Sequence, residues 1–350
     1  MFKKLSIKIA TAIAVVVLAT SSSTAYGAGF SLSGKGSSFA NAGMQACAAG
    51  YTVDDVTYVS TGSGTGRTEF ASGNIDWAAS DSVYTSGFPT KNYVTVPLFG
   101  GPVVFAYSAI GVGDGLQLSP AVVSGILKGT ITRWDDPAIK VLNPRIKLPK
   151  KAIKVAYRAS GSGTNSNLTN YLSQTVGGWT AKSNDMVMAS GGLAPGAVAF
   201  ANSQLLAGYV EDNSNAFGYF DLSDAITADV GIAKLQNADG KFIAPTASAA
   251  GKFLNAQTPI TGGTDATNGT LNIDFTKVVP GAYQLSIVTY GLAPKRATDQ
   301  KVSTGKGLAI QNWFKYVIGT CMPAKAATLG YVPLGGALKT SALNQVKFIG

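Results

Sequence analysis

A run of glycine and small hydroxyl residues recurs three times in the chain: Ser33-Gly34-Lys35-Gly36-Ser37-Ser38-Phe39, Thr61-Gly62-Ser63-Gly64-Thr65-Gly66 and Ser160-Gly161-Ser162-Gly163-Thr164. Each run leads into a segment with helical patterning and is expected to open a helix. A helix start presents unpaired backbone N–H groups at the positive end of its dipole. Glycine lets an anion approach that backbone closely, and Ser or Thr adds a hydroxyl donor. One such run is ordinary turn and cap chemistry. Three short helix starts converging on one point suit a small tetrahedral oxyanion. None has the spacing of the Walker loop or of the dinucleotide fingerprint, which argues against a nucleotide.

Two charged residues fall beside these runs. Arg158 ends an apolar stretch just before the third run, where a guanidinium can meet a pair of oxygens; a surface ion pair is its alternative use. Asp81 closes Trp77-Ala78-Ala79-Ser80-Asp81. A carboxylate in an anion site is useful only if the anion carries a proton. Phosphate does and sulfate does not, so one Asp can accept a hydrogen bond from the first and repel the second.

Composition removes most competing chemistries. The chain has no histidine, which excludes the Ser-His-Asp triad, the Cys-His dyad, an imidazole base and every His-containing zinc site. No paired metal-binding carboxylates and no nucleophile beside a base stand out, so neither an enzyme, a phosphatase included, nor a metal or cofactor is expected. Binding leads catalysis.

The elements that must position these residues read as α/β. Strands are expected at Val56–Val59, Tyr93–Val96, Val103–Ser108, Ile153–Tyr157 and Leu285–Tyr290. Helices are expected at Phe39–Ala49, Thr65–Ala71, Pro120–Leu127, Thr164–Ser173, Ala197–Ser203 and Lys306–Ile318. The last of these carries Leu308, Ile310, Trp313, Phe314 and Val317 at helical spacing, a core-packing stripe. Residues 236–280 turn rich in Ala, Gly, Thr and Asn, and are expected to be loops and short pieces on the second domain's surface. The chain's 350 residues, 46% hydrophobic, suffice for two domains.

Residues 1–27 have the form of a cleaved secretory signal: Lys3, Lys4 and Lys8, then the apolar Ile9–Ala19, then Ala25-Tyr26-Gly27 before a cut at Ala28. No cysteine lies near that cut to carry a lipid anchor, so a periplasmic or secreted protein is expected. Losing three lysines takes the net charge from +10 to +7, which favours an anionic partner. The densest basic cluster, Lys147–Lys154, has no interleaved aromatics and suits a solvated loop, so nucleic acid is not expected. Cys47 and Cys321 are the two cysteines; in an oxidising compartment they form one disulfide, the alternative being two buried thiols. Asn167-Leu168-Thr169 and Asn268-Gly269-Thr270 match the glycosylation pattern by chance.

At these residues the sequence resembles the phosphate-binding proteins of bacterial phosphate ABC transporters, the PstS-like family. Ser33–Ala40 matches the family's opening Gly-rich segment, and Thr61–Asp81 matches its Gly-Ser-rich segment leading to Ala-Ser-Asp. The middle block follows the family closely: Ile131–Ile139, Leu142-Asn143-Pro144, then Arg158–Thr164. Gly281-Ala282-Tyr283, Ile287–Tyr290 and Leu329–Leu334 resemble its closing segments. Carried over by position, the resemblance implies phosphate ligands at Ser38, Phe39, Ser63, Asp81, Arg158, Ser162, Gly163 and Thr164. It implies a type II periplasmic binding protein fold: two α/β domains, a ligand cleft between them and two chain crossovers. Domain I would comprise 28–102 and 285–350, and domain II 103–284. The implied role is capture of inorganic phosphate, as a monomer, for the membrane subunits of an ABC transporter. A secreted or surface-associated protein of adhesion or phosphate sensing is the alternative.

The sequence departs from the family pattern in three places. Ser160 stands where an aspartate usually pairs with the arginine, and Ala40 replaces a proline. Gly191–Gly196 lacks the Asn of the last cleft helix, with Gly208-Tyr209-Val210 and Gly218-Tyr219-Phe220 suggesting an insertion there.

Overall fold

Strands rich in β-branched and aromatic residues precede the second and third glycine-rich runs, and the first run begins within a strand of its own. The computed structural model describes residues 29–297 and 303–350; the expected export signal lies outside the described residues. In chain order the long sheet uses β1 (Ser31–Gly36), β2 (Asp55–Ser60), β3 (Trp77–Ser80), β4 (Tyr93–Tyr107), β5 (Lys154–Arg158), β6 (Val198–Phe200), β7 (Ala216–Asp221) and β8 (Ser286–Pro294). The helices around the site are α1 (Asn41–Ala48), α2 (Ser63–Ala71), α3 (Gly163–Thr175), α4 (Ser203–Asp212), α5 (Leu222–Thr227), α6 (Ala247–Asn255) and α7 (Gly305–Tyr316).

The strand order is β2-β1-β3-β8-β4-β7-β5-β6. β4 is buried along its whole length and belongs to both halves of the sheet. Its Tyr93–Pro102 portion pairs antiparallel with β8, and Val103–Tyr107 pairs antiparallel with β7. β1 runs parallel to β2 and β3 on one side, and β5 runs parallel to β7 and β6 on the other. The two strands expected here, Tyr93–Val96 and Val103–Ser108, are one, with Pro97, Gly100, Gly101 and Pro102 inside it. Those glycines admit neighbours: a Cβ on Gly100 would lie 2.4 Å from Leu254 Cδ1 and 2.7 Å from the Ile287 carbonyl oxygen.

That same Leu254 overturns the reading of 236–280 as surface loops. The segment contains α6, whose Phe253 and Leu254 are buried, and Ile273 and Phe275 are buried beyond it. α6 is Ala-rich, so its apolar face is narrow in sequence, yet alanines let the helix lie close against β4. Capping by Thr246, whose hydroxyl accepts the Ala249 N–H at 3.1 Å, fixes its start.

The helix expected at Ala197–Ser203 is also corrected. Val198–Phe200 is the edge strand β6, and the helix begins at Ser203 with Asn202 accepting the Leu205 N–H at 2.9 Å. The strongest local signal is this cap, two residues beyond the Val-Ala-Phe strand. The two Gly-Tyr-aliphatic/aromatic triplets are not a duplication: Gly208–Val210 lies in α4 and Gly218–Phe220 in β7, an inner strand. They pack on each other, since a Cβ on Gly218 would sit 2.5 Å from Leu206 and 3.0 Å from Val210. Gly191–Gly196 itself is turn, and the next helix is α4, capped by Asn202.

Expected and observed elements otherwise agree to within a few residues. In α7, Ile310, Trp313, Phe314 and the following Val317 are buried, whereas Leu308 is exposed. Trp77 packs edge-on to Phe314 and beside Trp313, joining α7 to β3. Cys47 and Cys321 are joined by a disulfide with their Cα atoms 5.6 Å apart, tying α1 to the segment after α7.

Candidate functional site

The three runs do not start alike. Ser63 is the first residue of α2 and Gly163 the first of α3, so the second and third runs open helices as expected, each helix beginning inside its run. The first run differs: Ser33–Gly36 belong to β1, and α1 begins only at Asn41 without a side-chain cap. Gly36 is extended to a positive φ of 138° and lies so close to β3 that a Cβ would meet the Ala79 carbonyl oxygen at 2.0 Å. Ser37 and Ser38 are thereby delivered at the end of a strand.

All eight sequence-predicted ligand positions are buried, and they gather where the β4–β7 half of the sheet faces the β4–β8 half. Arg158, at the end of β5, is 1% exposed. Its Nη1 donates to Ser38 Oγ at 2.7 Å and to Ser203 Oγ at 3.0 Å, and its Nη2 to the Ala201 carbonyl at 2.9 Å. No carboxylate oxygen lies within ion-pair distance of it among the described residues. Ser160 is exposed, so the orientation left open there is set by these hydroxyls and the carbonyl. The arginine's backbone is fixed as well: its N–H donates to the Tyr219 hydroxyl at 3.1 Å, and its carbonyl accepts from Asn165 Nδ2 at 2.7 Å. Burial lowers the guanidinium pKa, while Tyr219 and Asp81 work in the opposite direction.

Ser38 Oγ also accepts the Ser203 N–H at 3.1 Å. With both acceptor positions in use, its own proton is left to donate, to Ser203 Oγ 3.0 Å away or to an anion. Phe39 is fully buried, its carbonyl accepting from the Tyr331 hydroxyl at 2.6 Å.

Asp81 follows β3 and is held by hydroxyls. Ser37 Oγ lies 2.7 Å from both of its oxygens, Ser63 Oγ lies 3.3 Å from Oδ2, and the Thr289 hydroxyl donates to Oδ1. Burial pushes its pKa up; the hydroxyls of Thr289, Ser37 and Ser63, and then Arg158, pull it back. Ser63 in turn accepts the Asp81 N–H at 3.1 Å.

The second and third runs touch across the cleft. Gly64 N–H donates to the Gly161 carbonyl at 2.7 Å, and Asn167 Nδ2 donates to the Asp81 carbonyl at 2.6 Å. Gly163 has no room for a side chain, since a Cβ would lie 2.4 Å from Ser63 Oγ and 2.9 Å from Asp81 Cβ. Ser162 caps α3, accepting the Asn165 N–H at 3.2 Å and keeping its own proton free. Thr164 is buried beside it.

Sequence reasoning missed Ser37, Ser203 and Thr289. Ser37 sat unselected inside the first run. Asn202 as a cap would have pointed to Ser203, but nothing local marks Thr289, which reaches Asp81 from a strand more than two hundred residues away. A buried acid pair was missed too. Asp221 caps α5, and Asp224 Oδ2 accepts from Gln204 Nε2 at 2.6 Å; that amide also reaches the Ser38 carbonyl at 3.2 Å. Burial raises both carboxyls, Asp224 to about 9 with the Asp221 charge adding to the effect.

Two α/β lobes sharing β4, with charged and hydroxyl side chains turned into the gap between them, define a two-lobed binding protein of type II. Residues 19–319 match the model of the PBP superfamily domain. Among curated relatives, the phosphate-binding protein PstS of Xylella fastidiosa is 30% identical over 314 residues, covering 87% of this chain and 81% of that one. Phosphate-binding protein PstS 3 of Mycobacterium leprae is 27% identical over 314 residues, covering 86% and 80%. The chain belongs to the PstS family of phosphate-binding proteins. Solved structures share the fold. A high-affinity periplasmic phosphate-binding protein (PfluDING) bound with phosphate superposes with a TM-score of 0.72 at 21% identity, covering 89% of this chain and 92% of that one. A phosphate-binding protein from Stenotrophomonas maltophilia gives 0.69 at 18% identity, covering 90% and 93%.

Proposed function

We propose that the protein captures inorganic phosphate between its two lobes and delivers it, outside the cytoplasm, to the membrane subunits of an ABC transporter. One observation carries the reading: a buried arginine and a buried aspartate face one gap with two glycine-rich helix starts and free hydroxyl donors. Arg158 supplies charge, and Ser38, Ser63, Ser162 and Thr164 supply hydroxyls. Backbone N–H groups at Phe39, Gly163 and Thr164 complete the donors. Asp81 accepts the ligand's proton and thereby selects phosphate over sulfate.

The change of β4 partner between Pro102 and Val103, and the return at Ser286, support a lobe division into 28–102 with 285–350 and 103–284. Export through the residue 1–27 signal as an unanchored monomer belongs to the same reading, as does the absence of catalysis. Isothermal titration of the purified protein tests it: one phosphate per chain is expected, with a preference over sulfate of at least roughly a hundredfold. No heat and no thermal stabilisation with phosphate would overturn it.

A further inference from the structure

Beside Asp81 lies a cavity of about 120 Å³ whose walls include Arg67 and Asp81 from one lobe and Asn167, Asn170, Lys182 and Asn184 from the other. On the scale where about 10–15 Å³ admits one water, it has room for a polyatomic ligand.

Its two cations lack a contact ion pair, although the Asp81 carboxylate in the same wall attracts Arg67 from beyond contact distance. Arg67, on α2, is fixed with Nη1 donating to Ser80 Oγ at 2.9 Å and to the Ser82 carbonyl at 3.2 Å, its guanidinium carbon 5.8 Å from the centre of the Tyr84 ring. Lys182 Nζ lies 3.4 Å from Asn272 Oδ1. Neither has a carboxylate within ion-pair distance among the described residues. The acidic wall residue, Asp81, already accepts from Ser37, Ser63 and Thr289.

We propose that this cavity is a second oxyanion subsite, taking a phosphoryl group next to the phosphate held by the glycine-rich runs. The proposal rests on the phosphate reading above. Cations contributed by both lobes clamp an anion only when the lobes meet, and the amide side chains supply further donors beside an apolar flank of Ile260, Leu271 and Ile273. Because Asp81 borders both positions, the second phosphoryl is either that of a condensed phosphate or a second free phosphate.

Titrating wild type, Arg67→Gln and Lys182→Gln with pyrophosphate and with orthophosphate separates these sources. A condensed ligand shows as one pyrophosphate per chain, weakened roughly tenfold or more in each variant while the first orthophosphate changes less than about threefold. A free second phosphate shows as a weaker second orthophosphate event that both variants lose. Lys182 is exposed, so its variant reads the site even if Arg67→Gln fails to fold. The proposal is overturned if wild type takes one orthophosphate and no pyrophosphate, or if the Lys182 variant matches wild type with both ligands. A wild type that binds no orthophosphate overturns the phosphate reading itself, and this proposal with it.

Discussion

Asp81 and Arg158 divide the work of an anion site between selectivity and strength. Burial raises the Asp81 pKa, and three hydroxyl neighbours and Arg158 oppose that rise and leave its carboxyl oxygens placed to accept from a protonated ligand. Asp81→Asn is therefore expected to erase most of the phosphate-over-sulfate preference, at a cost to phosphate of about 1.5–3 kcal/mol, readable by calorimetry with both anions. An unchanged preference would show that discrimination lies elsewhere. Arg158 is a buried cation without a carboxylate in contact, so the anion is its natural counter-charge. Arg158→Ala should cost about 3–5 kcal/mol, two to four decades in Kd, against about 1–2 kcal/mol for Ser162→Ala, where backbone donors remain. Equilibrium titration of the two variants ranks them, and an Arg158→Ala protein binding like wild type would mean the site is elsewhere.

At the scale of elements, closure depends on bare backbone at the start of α3. Gly163→Ala places a methyl 2.4 Å from Ser63 Oγ, a contact made between lobes and not within one. Affinity for phosphate should fall on the order of tenfold to a hundredfold, about 1–3 kcal/mol of overpacking, while the melting temperature without phosphate stays near that of wild type. A matched fall in both would place the contact inside a lobe's folding core instead. α5 and α4 act as a second tie: Asp224, Gln204 and the Ser38 carbonyl link the helix behind the arginine to the loop that holds Ser38.

The acid pair sets a pH dependence for the whole molecule. Asp224 is raised to about 9 and Asp221 is raised with it, so between about 4, the unfolded carboxyl value, and 9 the folded state binds more protons than the unfolded chain. Stability is then present below pH 4 from these groups and is lost as pH climbs toward 9. Asp76, lowered by Lys306 and Ser33 against its burial, has the opposite sign and loses its contribution as pH falls below about 4. Thermal melts should show greatest stability on the mildly acidic side, declining from pH 5 to 9. Asp224→Asn should flatten that decline; a variant with the wild-type slope would remove Asp224 as its origin. The disulfide acts at the same scale, joining residues 274 positions apart within the half that holds α1 and α7.

The sequence by itself determined the α/β class and most strands and helices, because short-range rules govern them, while the eight candidate site positions came from the family resemblance, on runs those rules had also marked. Alternating and helical patterns report local burial, glycine with Ser or Thr reports an open backbone at a helix start, and missing histidine removes whole chemistries. Tertiary structure decided what depends on neighbours remote in sequence. Pro97 and Gly100 look like a strand break until Leu254 and β8 are seen to need that close approach. The small residues of α6 look like loop until β4 covers them. Thr289 becomes a partner of Asp81 only when β8 returns beside β3, and Arg67 and Lys182 share a cavity only because two lobes face each other. Such contacts are set by how strands cross between lobes, a property of the chain's path that no local window contains.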